Sequence, residues 1–230
     1  MIVRSPGQKR DAHAPWAAAA LALACAAGPA WAGDAEPAAP AWRYSLGVLS
    51  GSVLPDRTLA DYQWATLPRA AWGVQALAGR GPLEGGLRFW RTQTTQTSAL
   101  PGGTLTSSVH LTSLEAVGRV RLAQVLGAGV MGGASAGRMR IDWDPDRVEI
   151  DTGGGAPVEV RFEPVDEWVL GAGLAVRRPL TASVSAGLEV ERRAYRMNTA
   201  HRNGSTIEYR RDTFGDWNAR VELAWNYGPR

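Results

Sequence analysis

Between residues 42 and 227, apolar side chains recur at every second position in eight separate segments. In the first segment Trp42, Tyr44 and Leu46 alternate with polar or small residues, and the last ends in the same way at Trp225 and Tyr227. A repeat of two is that of a β-strand whose two faces differ, whereas a helix repeats every 3.6 residues. Gly, Pro and Asn separate the segments, as expected for turns. The sequence therefore predicts an all-β protein with eight strands.

The opposite face of these segments is strongly charged. It carries Arg43, Glu84, Arg88, Glu115, Arg119, Arg121, Glu167, Arg177, Glu189, Glu191, Arg193, Arg220 and Glu222. An arginine that faced lipid near the bilayer midplane would cost about 2–4 kcal/mol, and a folded domain has a net stability of only about 5–15 kcal/mol. An eight-stranded barrel is just wide enough for side chains to fill it. We therefore expect these residues to form a charge network inside a transmembrane barrel.

The alternation alone also fits the reverse arrangement, a soluble lipocalin-like binding barrel with its apolar face inside. Two features favour the membrane. Trp and Tyr gather at the ends of the apolar stripes, where a bilayer has its interfaces. The connections are short at residues 79–82, 124–126 and 178–179 and long elsewhere, which matches short periplasmic turns and long extracellular loops. The prediction is an eight-stranded antiparallel up-and-down transmembrane β-barrel with both termini in the periplasm.

Three of the long connections contain further β-forming segments around turn residues. They span residues 92–112, 147–163 and 195–211, with turns expected at residues 101–103, at Gly153 to Gly155 and at Asn203-Gly204. Asn-Gly between β-forming segments is a strong hairpin signal. We expect hairpins that protrude on the extracellular side.

The N-terminus has the pattern of a secretory signal peptide. A basic stretch at residues 4–10 precedes an apolar run at 16–27 and Ala-Trp-Ala at 30–32, so we expect residues 1–32 to be removed on export. Residues 33–41 are rich in Pro and Ala and are expected to form a disordered periplasmic tail. The barrel then occupies residues 42–230 and lies in the outer membrane of a Gram-negative cell.

Removal of residues 1–32 takes away Arg4, Lys9, Arg10 and Asp11, which leaves 22 basic and 21 acidic residues. A chain this close to neutral is not expected to bind nucleic acid. The only cysteine, Cys25, lies in the same segment, so the sequence indicates no disulfide in the exported part. No cofactor is indicated.

The eight alternating segments, the charged face and the protruding hairpins resemble the small outer-membrane barrels of the OmpX and OmpA-barrel type. The resemblance spans residues 42–227, and Arg220, Trp225 and Tyr227 fit part of the barrel-assembly signal of such proteins. It implies a monomer with a filled interior. It also implies an adhesive or envelope-structural role, in which extracellular hairpins contact lipopolysaccharide, host proteins or other cells. Fold alone does not establish that role.

The alternative function is a lipid A-modifying enzyme of the deacylase type on the same barrel. Such chemistry needs a histidine to activate a serine and a carboxylate to orient the histidine. His110, Ser108 and Asp142 are the candidates, but the order Ser-x-His is the reverse of the deacylase motif. We expect His110 to be a surface residue and no residue to be catalytic. Asp142, Asp144 and Asp146 lack the glycine of a calcium loop, so no metal site is predicted.

Arginines flank the last hairpin and are candidates for contact with lipid phosphates, since a guanidinium can bind phosphate through two parallel hydrogen bonds. They are Arg192, Arg196, Arg202, Arg210 and Arg211.

Overall fold

A computed structural model of the chain describes residues 41–100, 103–150, 158–203 and 206–228. The predicted signal peptide and all but residue 41 of the predicted tail lie outside these ranges. The strands are β1 (Arg43–Pro55), β2 (Arg69–Arg80), β3 (Leu83–Leu100), β4 (Gly103–Val125), β5 (Ala128–Asp144), β6 (Arg147–Ile150), β7 (Val158–Arg161), β8 (Val165–Pro179), β9 (Val184–Asn203) and β10 (Thr206–Tyr227). Among the described residues, no helix is long and apolar enough to cross a membrane.

Eight of these strands form one closed antiparallel barrel, in the order β1-β10-β9-β8-β5-β4-β3-β2. Closure is made by β1, in which Val48 lies opposite Val74 of β2 on one side and Leu223 of β10 on the other. Each barrel strand therefore has a hydrogen-bonded neighbour on both sides, which leaves no open edge within the barrel. The predicted all-β, eight-stranded, up-and-down barrel is confirmed.

The connections at the two ends of the barrel differ in length, as predicted. Short turns join β2 to β3, β4 to β5 and β8 to β9. Gly81 and Gly127 have positive φ angles of 62° and 78° in the first two of these turns, a conformation in which glycine carries no steric penalty. The start of β1 and the end of β10 lie at this short-turn end, because Tyr44 pairs with Tyr227. This end corresponds to the periplasm, and the opposite, long-loop end to the cell exterior.

Two pairs of barrel strands continue without interruption into hairpins beyond the long-loop end. The pairing of β3 with β4 runs up to Leu100 and Gly103, and that of β9 with β10 up to Asn203 and Thr206. Strands β4 and β10 have 23 and 22 residues, whereas about 9–11 suffice to cross a bilayer. Strands β6 and β7 form a separate small hairpin in which Val148 lies opposite Val160, in the predicted register. Its predicted tip at Gly153 to Gly155 lies outside the described residues.

The connection between β1 and β2 folds back over the mouth of the barrel. A short 3-10 helix (Arg57–Tyr62) begins after Asp56, whose side chain accepts a hydrogen bond from the Thr58 backbone nitrogen at 3.0 Å. Leu59 and Trp64 are buried among apolar residues of the barrel strands. These partners are Val109, Leu111, Met139, Ile141, Val169, Tyr195, Met197 and Phe214. We call these ten residues the apolar cap; the sequence indicated only a long loop here.

Candidate functional site

The charged face of the strands points into the barrel, and Arg88 on β3 lies at its centre. Its Nε donates to Glu115 Oε2 at 3.0 Å, and its Nη1 donates to Glu189 Oε1 at 3.0 Å. Its Nη2 donates to both carboxylate oxygens of Glu191 at 2.8 Å. Arg88 is fully buried, so one guanidinium holds three carboxylates from β4 and β9 together in the interior.

The arrangement continues towards the long-loop end through Arg193 on β9. Its Nη1 donates to Glu115 Oε1 at 3.0 Å, and its Nε and Nη2 make two parallel bonds to Asp216 at 2.9 and 3.0 Å. Two-point pairing of this kind is the strongest and most directional form of an Arg–carboxylate contact. Glu115 is thereby shared between Arg88 and Arg193.

Towards the short-turn end, Arg119 and Arg177 continue the alternation of charge. Arg119 Nη2 donates to Glu189 Oε2 at 2.7 Å, and its Nη1 lies 3.7 Å from Glu222 Oε2. Arg177 donates to Glu222 at 2.9 Å through Nη2 and to Glu84 at 3.1 Å through Nη1. These contacts extend the series of alternating positive and negative side chains from the middle of the barrel to its short-turn end.

Within the described part of the chain, five arginines and six carboxylates form this interior network. They are Arg88, Arg119, Arg177, Arg193 and Arg220 with Glu84, Glu115, Glu189, Glu191, Glu222 and Asp216. The guanidiniums of Arg193 and Arg220 both lie over the Trp90 ring, with their ζ-carbons 5.0 and 5.1 Å from its centre. Side chains of alternating charge thus fill the cross-section that a pore would need.

Two glycines on the inward face make room for the carboxylates. A Cβ at Gly171 would lie 2.6 Å from Glu191 Oε1, and one at Gly47 would lie 2.9 Å from Glu222 Oε1. Both distances are shorter than a carbon and an oxygen can approach without one of them moving. Any larger side chain at these positions would displace the network.

Three of the predicted interior residues do not belong to this network. Arg43 and Arg121 are exposed and line a cavity of about 460 Å³ at the short-turn mouth. The alternation along their strands places both residues on the inward face, but at the short-turn end the barrel is open to water. Glu167 is buried but belongs to another pair, because Arg211 Nη2 donates to its Oε2 at 2.6 Å.

Other buried polar residues of the interior were not in the predicted set, among them Asp216, Asn218 and Gln75. Asp216 and Asn218 precede Arg220 at alternate positions of β10, so the same period-two rule would have placed them inside. Gln75 occupies an inward position of β2, where its Oε1 accepts from Arg119 Nη2 at 3.1 Å. Its amide carries no formal charge, so a pattern of charged residues alone does not indicate it.

The outward surface is apolar in the middle and aromatic at both ends. The exposed middle residues include Leu46, Val48, Val74, Leu87, Leu114, Leu170, Leu174, Leu188, Val190, Val221 and Leu223. Trp42, Tyr44, Trp225 and Tyr227 border this band at the short-turn end, and Trp72, Trp168 and Trp217 border it at the long-loop end. On β10 the stripe from Trp217 to Tyr227 covers about 25 Å along the barrel axis for a strand tilted by about 40°. An apolar band of that height between two aromatic girdles is a lipid-facing surface.

The protein is a small eight-stranded outer-membrane β-barrel. The soluble lipocalin-like alternative required the apolar face to point inward, and the structure has the opposite arrangement.

No protein-family model matches the chain, and no curated protein matches it significantly. Similar solved structures are small outer-membrane proteins. A major outer-membrane protein of Thermus thermophilus is 14% identical, with a TM-score of 0.42 over 81% of this chain and 99% of its own. The attachment invasion locus protein Ail of Yersinia pestis is 12% identical, with a TM-score of 0.40 over 83% and 100%. Neisserial surface protein A is 11% identical, with a TM-score of 0.39 over 79% and 96%. Because these sequence identities and TM-scores are low, the membrane assignment rests on the apolar, lipid-facing surface of the barrel itself.

The candidate catalytic residues lie on the outer wall of the β4–β5 extension. His110 is opposite Asp142, so the register brings these two together as the sequence suggested. The Asp142 carboxylate, however, accepts hydrogen bonds from Arg140 Nε at 2.9 and 3.2 Å. His110 Nδ1 is 3.3 Å from Arg91 Nη2. The contacts of these side chains are therefore those of a polar surface rather than those of an aligned triad.

The arginines predicted to contact phosphate lie at different places on the last hairpin. Arg192 lies on the outward face against Trp217 and Asp56, and Arg196 is exposed on the same face. Arg210 pairs with Glu208 at 2.9 Å, and Arg211 pairs with Glu167. The side chain of Arg202 lies outside the described part.

A closed ladder of strands predicts heat-modifiable migration on SDS gels. We expect the unheated barrel to run ahead of the boiled protein, because detergent does not open a ladder without edges until it is melted. The measurement compares heated and unheated membrane fractions. Identical mobility together with release by a salt wash would contradict the transmembrane assignment.

Proposed function

We propose that this protein is a non-conducting, monomeric outer-membrane barrel that presents its extracellular hairpins as a binding surface, in an adhesive or envelope-structural role. The observation that carries the proposal is the combination of a filled interior with strands that continue far beyond the lipid-facing band. The barrel serves as a rigid base, and binding takes place on the hairpins.

The interior supports a role other than transport. At mid-membrane the cross-section is occupied by the Arg88, Glu115 and Glu191 side chains, all buried. At the long-loop end the apolar cap covers the barrel, with Trp64 bridged to Gln96 through the backbone. The Tyr62 hydroxyl donates to Asp212 at 2.8 Å, which ties the connection between β1 and β2 to β10. A solute would have to displace both layers.

The hairpins support a binding role because they expose backbone and polar side chains beyond the membrane. The β3–β4 hairpin is rich in Thr and Ser, including Thr97 and Thr106, which pair across its two strands. On the β9–β10 hairpin Tyr209 is 79% exposed, and exposed aromatic side chains often anchor protein contacts. Possible partners are lipopolysaccharide, a host protein or another cell surface.

Removing the hairpin tips tests this function. Residues 98–105 are replaced by Asn-Gly, which joins the paired Thr97 and Thr106, and residues 200–209 are replaced in the same way between Thr199 and Arg210. We expect attachment of expressing bacteria to host or neighbouring cells to be lost, while the heat-modifiable gel shift is kept. The gel shift is the control for folding, because a misfolded variant would also fail to attach.

A control changes the short-turn end instead, where Leu180 is exposed in the turn after β8. Leu180→Ser should leave both attachment and the gel shift unchanged. Full attachment by the doubly truncated but folded barrel would overturn the proposed binding role. The enzymatic alternative would then be favoured by a change in lipid A acylation on expression.

A further inference from the structure

Three tryptophans on the lipid-facing surface each lie directly opposite an arginine of the neighbouring strand. The pairs are Trp72 with Arg91, Trp168 with Arg138, and Trp217 with Arg192. All three pairs are at the long-loop end of the apolar band. In two of them the guanidinium stacks on the ring, with the ζ-carbon 5.3 Å from the Trp168 centre for Arg138 and 5.7 Å from the Trp217 centre for Arg192.

The position of these arginines is informative because lipid-facing arginine is tolerated only near the membrane surface. Its cost falls from about 2–4 kcal/mol at the midplane to about 0–1 kcal/mol at the interface. Tryptophan marks that interface, since its amphipathic ring lies at the level of the headgroups. An arginine paired with it is therefore held at the height of the lipid phosphates in the outer leaflet.

One of the three pairs is part of a groove. Trp72 and Arg91 line a cavity of about 490 Å³ beside the point where the pairing of β2 with β3 ends at Ala71 and Thr92, together with Arg69, His110 and polar residues of β3. The described residues that line it include no Asp or Glu. Arg91 Nη2 lies within hydrogen-bond distance, 3.3 Å, of His110 Nδ1. The Arg69 Nε is buried and has no hydrogen-bond partner within the described part of the chain.

The other two pairs differ because acidic or carbonyl groups already engage their arginines. Arg192 Nη2 is 3.4 Å from Asp56 Oδ2, and Arg138 Nη2 donates to the Asp166 carbonyl oxygen at 3.5 Å. A groove that contains two arginines, a buried donor without a partner, and no Asp or Glu among the described residues that line it is electrostatically incomplete, since a buried donor without a partner costs free energy. An anion would complete it.

We propose that this groove binds a phosphate group of a lipid headgroup in the outer leaflet. Arg69 and Arg91 donate hydrogen bonds to the phosphate oxygens, a geometry for which guanidinium is well suited. Trp72, exposed beside them, packs against the part of the lipid that leads into the bilayer. The lipid is favoured over free phosphate because the groove opens outward at the border of the apolar band. This site is independent of the proposed hairpin function.

The test is a binding titration with the refolded full barrel in detergent, followed by intrinsic tryptophan fluorescence. The probes are bisphosphorylated lipid A, the same lipid after enzymatic dephosphorylation, and inorganic phosphate. We expect the phosphorylated lipid to bind at least about tenfold more tightly than the dephosphorylated one, since charge-assisted hydrogen bonds are lost. Inorganic phosphate should not compete at equal concentration. Equal affinity for both lipids, or equal competition by inorganic phosphate, would overturn the proposal.

Variants locate the site. R69Q combined with R91Q should weaken binding of the phosphorylated lipid by at least about tenfold, and R91Q alone should weaken it by a smaller factor. The matched control is R140Q, an exposed arginine on the neighbouring β5 strand that already pairs with Asp142, and it should bind as the unmodified protein does. If the double variant loses its heat-modifiable gel shift, it has failed to fold, and the R91Q variant alone then tests the site. A loss in R140Q as large as in R91Q would show diffuse charge attraction and contradict a defined site.

Discussion

Replacing Glu115 with alanine is expected to destabilise the barrel by about 3–5 kcal/mol, the usual cost of removing one partner from a buried charge pair. Glu115 is 1% exposed and accepts hydrogen bonds from Arg88, Arg193 and the Ser113 hydroxyl. Without it, two buried guanidiniums face each other with one carboxylate fewer between them. The measurement is urea unfolding of the refolded protein in detergent.

The controls for Glu115 separate charge from shape and from surface effects. Glu115→Gln keeps the volume of the side chain and part of its hydrogen bonding, so its loss of stability should be smaller. Glu208→Ala removes the partner of Arg210 on the exposed hairpin, and such surface pairs contribute only about 0–1 kcal/mol. If Glu208→Ala proved as damaging as Glu115→Ala, the stabilising role of the interior network would be wrong.

Replacing Trp90 with alanine should destabilise the barrel by a similar amount, about 3–5 kcal/mol, as expected when a large buried aromatic side chain is deleted. Trp90 is 2% exposed and packs with Val53 and Ala71. The guanidiniums of Arg193 and Arg220 also lie over its ring. The ring attracts both positive charges through its π electrons. Its removal therefore costs both packing and cation–π contact.

The same unfolding experiment measures the Trp90 effect, with Trp90→Phe as the conservative variant. Phenylalanine keeps an aromatic face for the two arginines, so we expect a loss well below that of alanine. Leu67→Ala, at a position that is 67% exposed, should change stability by no more than about 0.5 kcal/mol. Equal losses for the alanine and phenylalanine variants would show that the contact of the aromatic ring with the arginines has no stabilising role.

Much of the fold could be predicted because its signal is local in the chain. The alternation that begins at Trp42 and ends at Tyr227 assigns inside and outside one residue at a time, and it correctly separated the Arg88 face from the Leu87 face. The lengths of the connections gave the orientation of the two ends. The hairpin of β6 and β7 was also predicted, because the segments that contain Val148 and Val160 both alternate apolar and charged residues on either side of an expected turn.

The parts that could not be predicted depend on residues distant in sequence. The apolar cap needs Leu59 to meet Val109, Met139 and Phe214, and no pattern within residues 56–68 shows that this loop folds into the barrel mouth. The groove at Arg69, Arg91 and His110 was missed for the same reason. The arginines chosen from sequence clustered near the last hairpin, whereas the groove combines single residues from three strands.

By itself, the sequence determined the class, the number of strands, the two faces and the filled interior, because a period of two in the backbone fixes the direction of each side chain in turn. Only the tertiary structure decided which charges pair. Closure of the barrel sets the register that places Arg88 beside Glu191 and Trp72 opposite Arg91. It also leaves Arg43 and Arg121 at the short-turn end, where the barrel is open to water. Ion-pair geometry depends on distances of a few ångströms between separate strands, and those distances arise from strand register and barrel closure rather than from the order of residues along one strand.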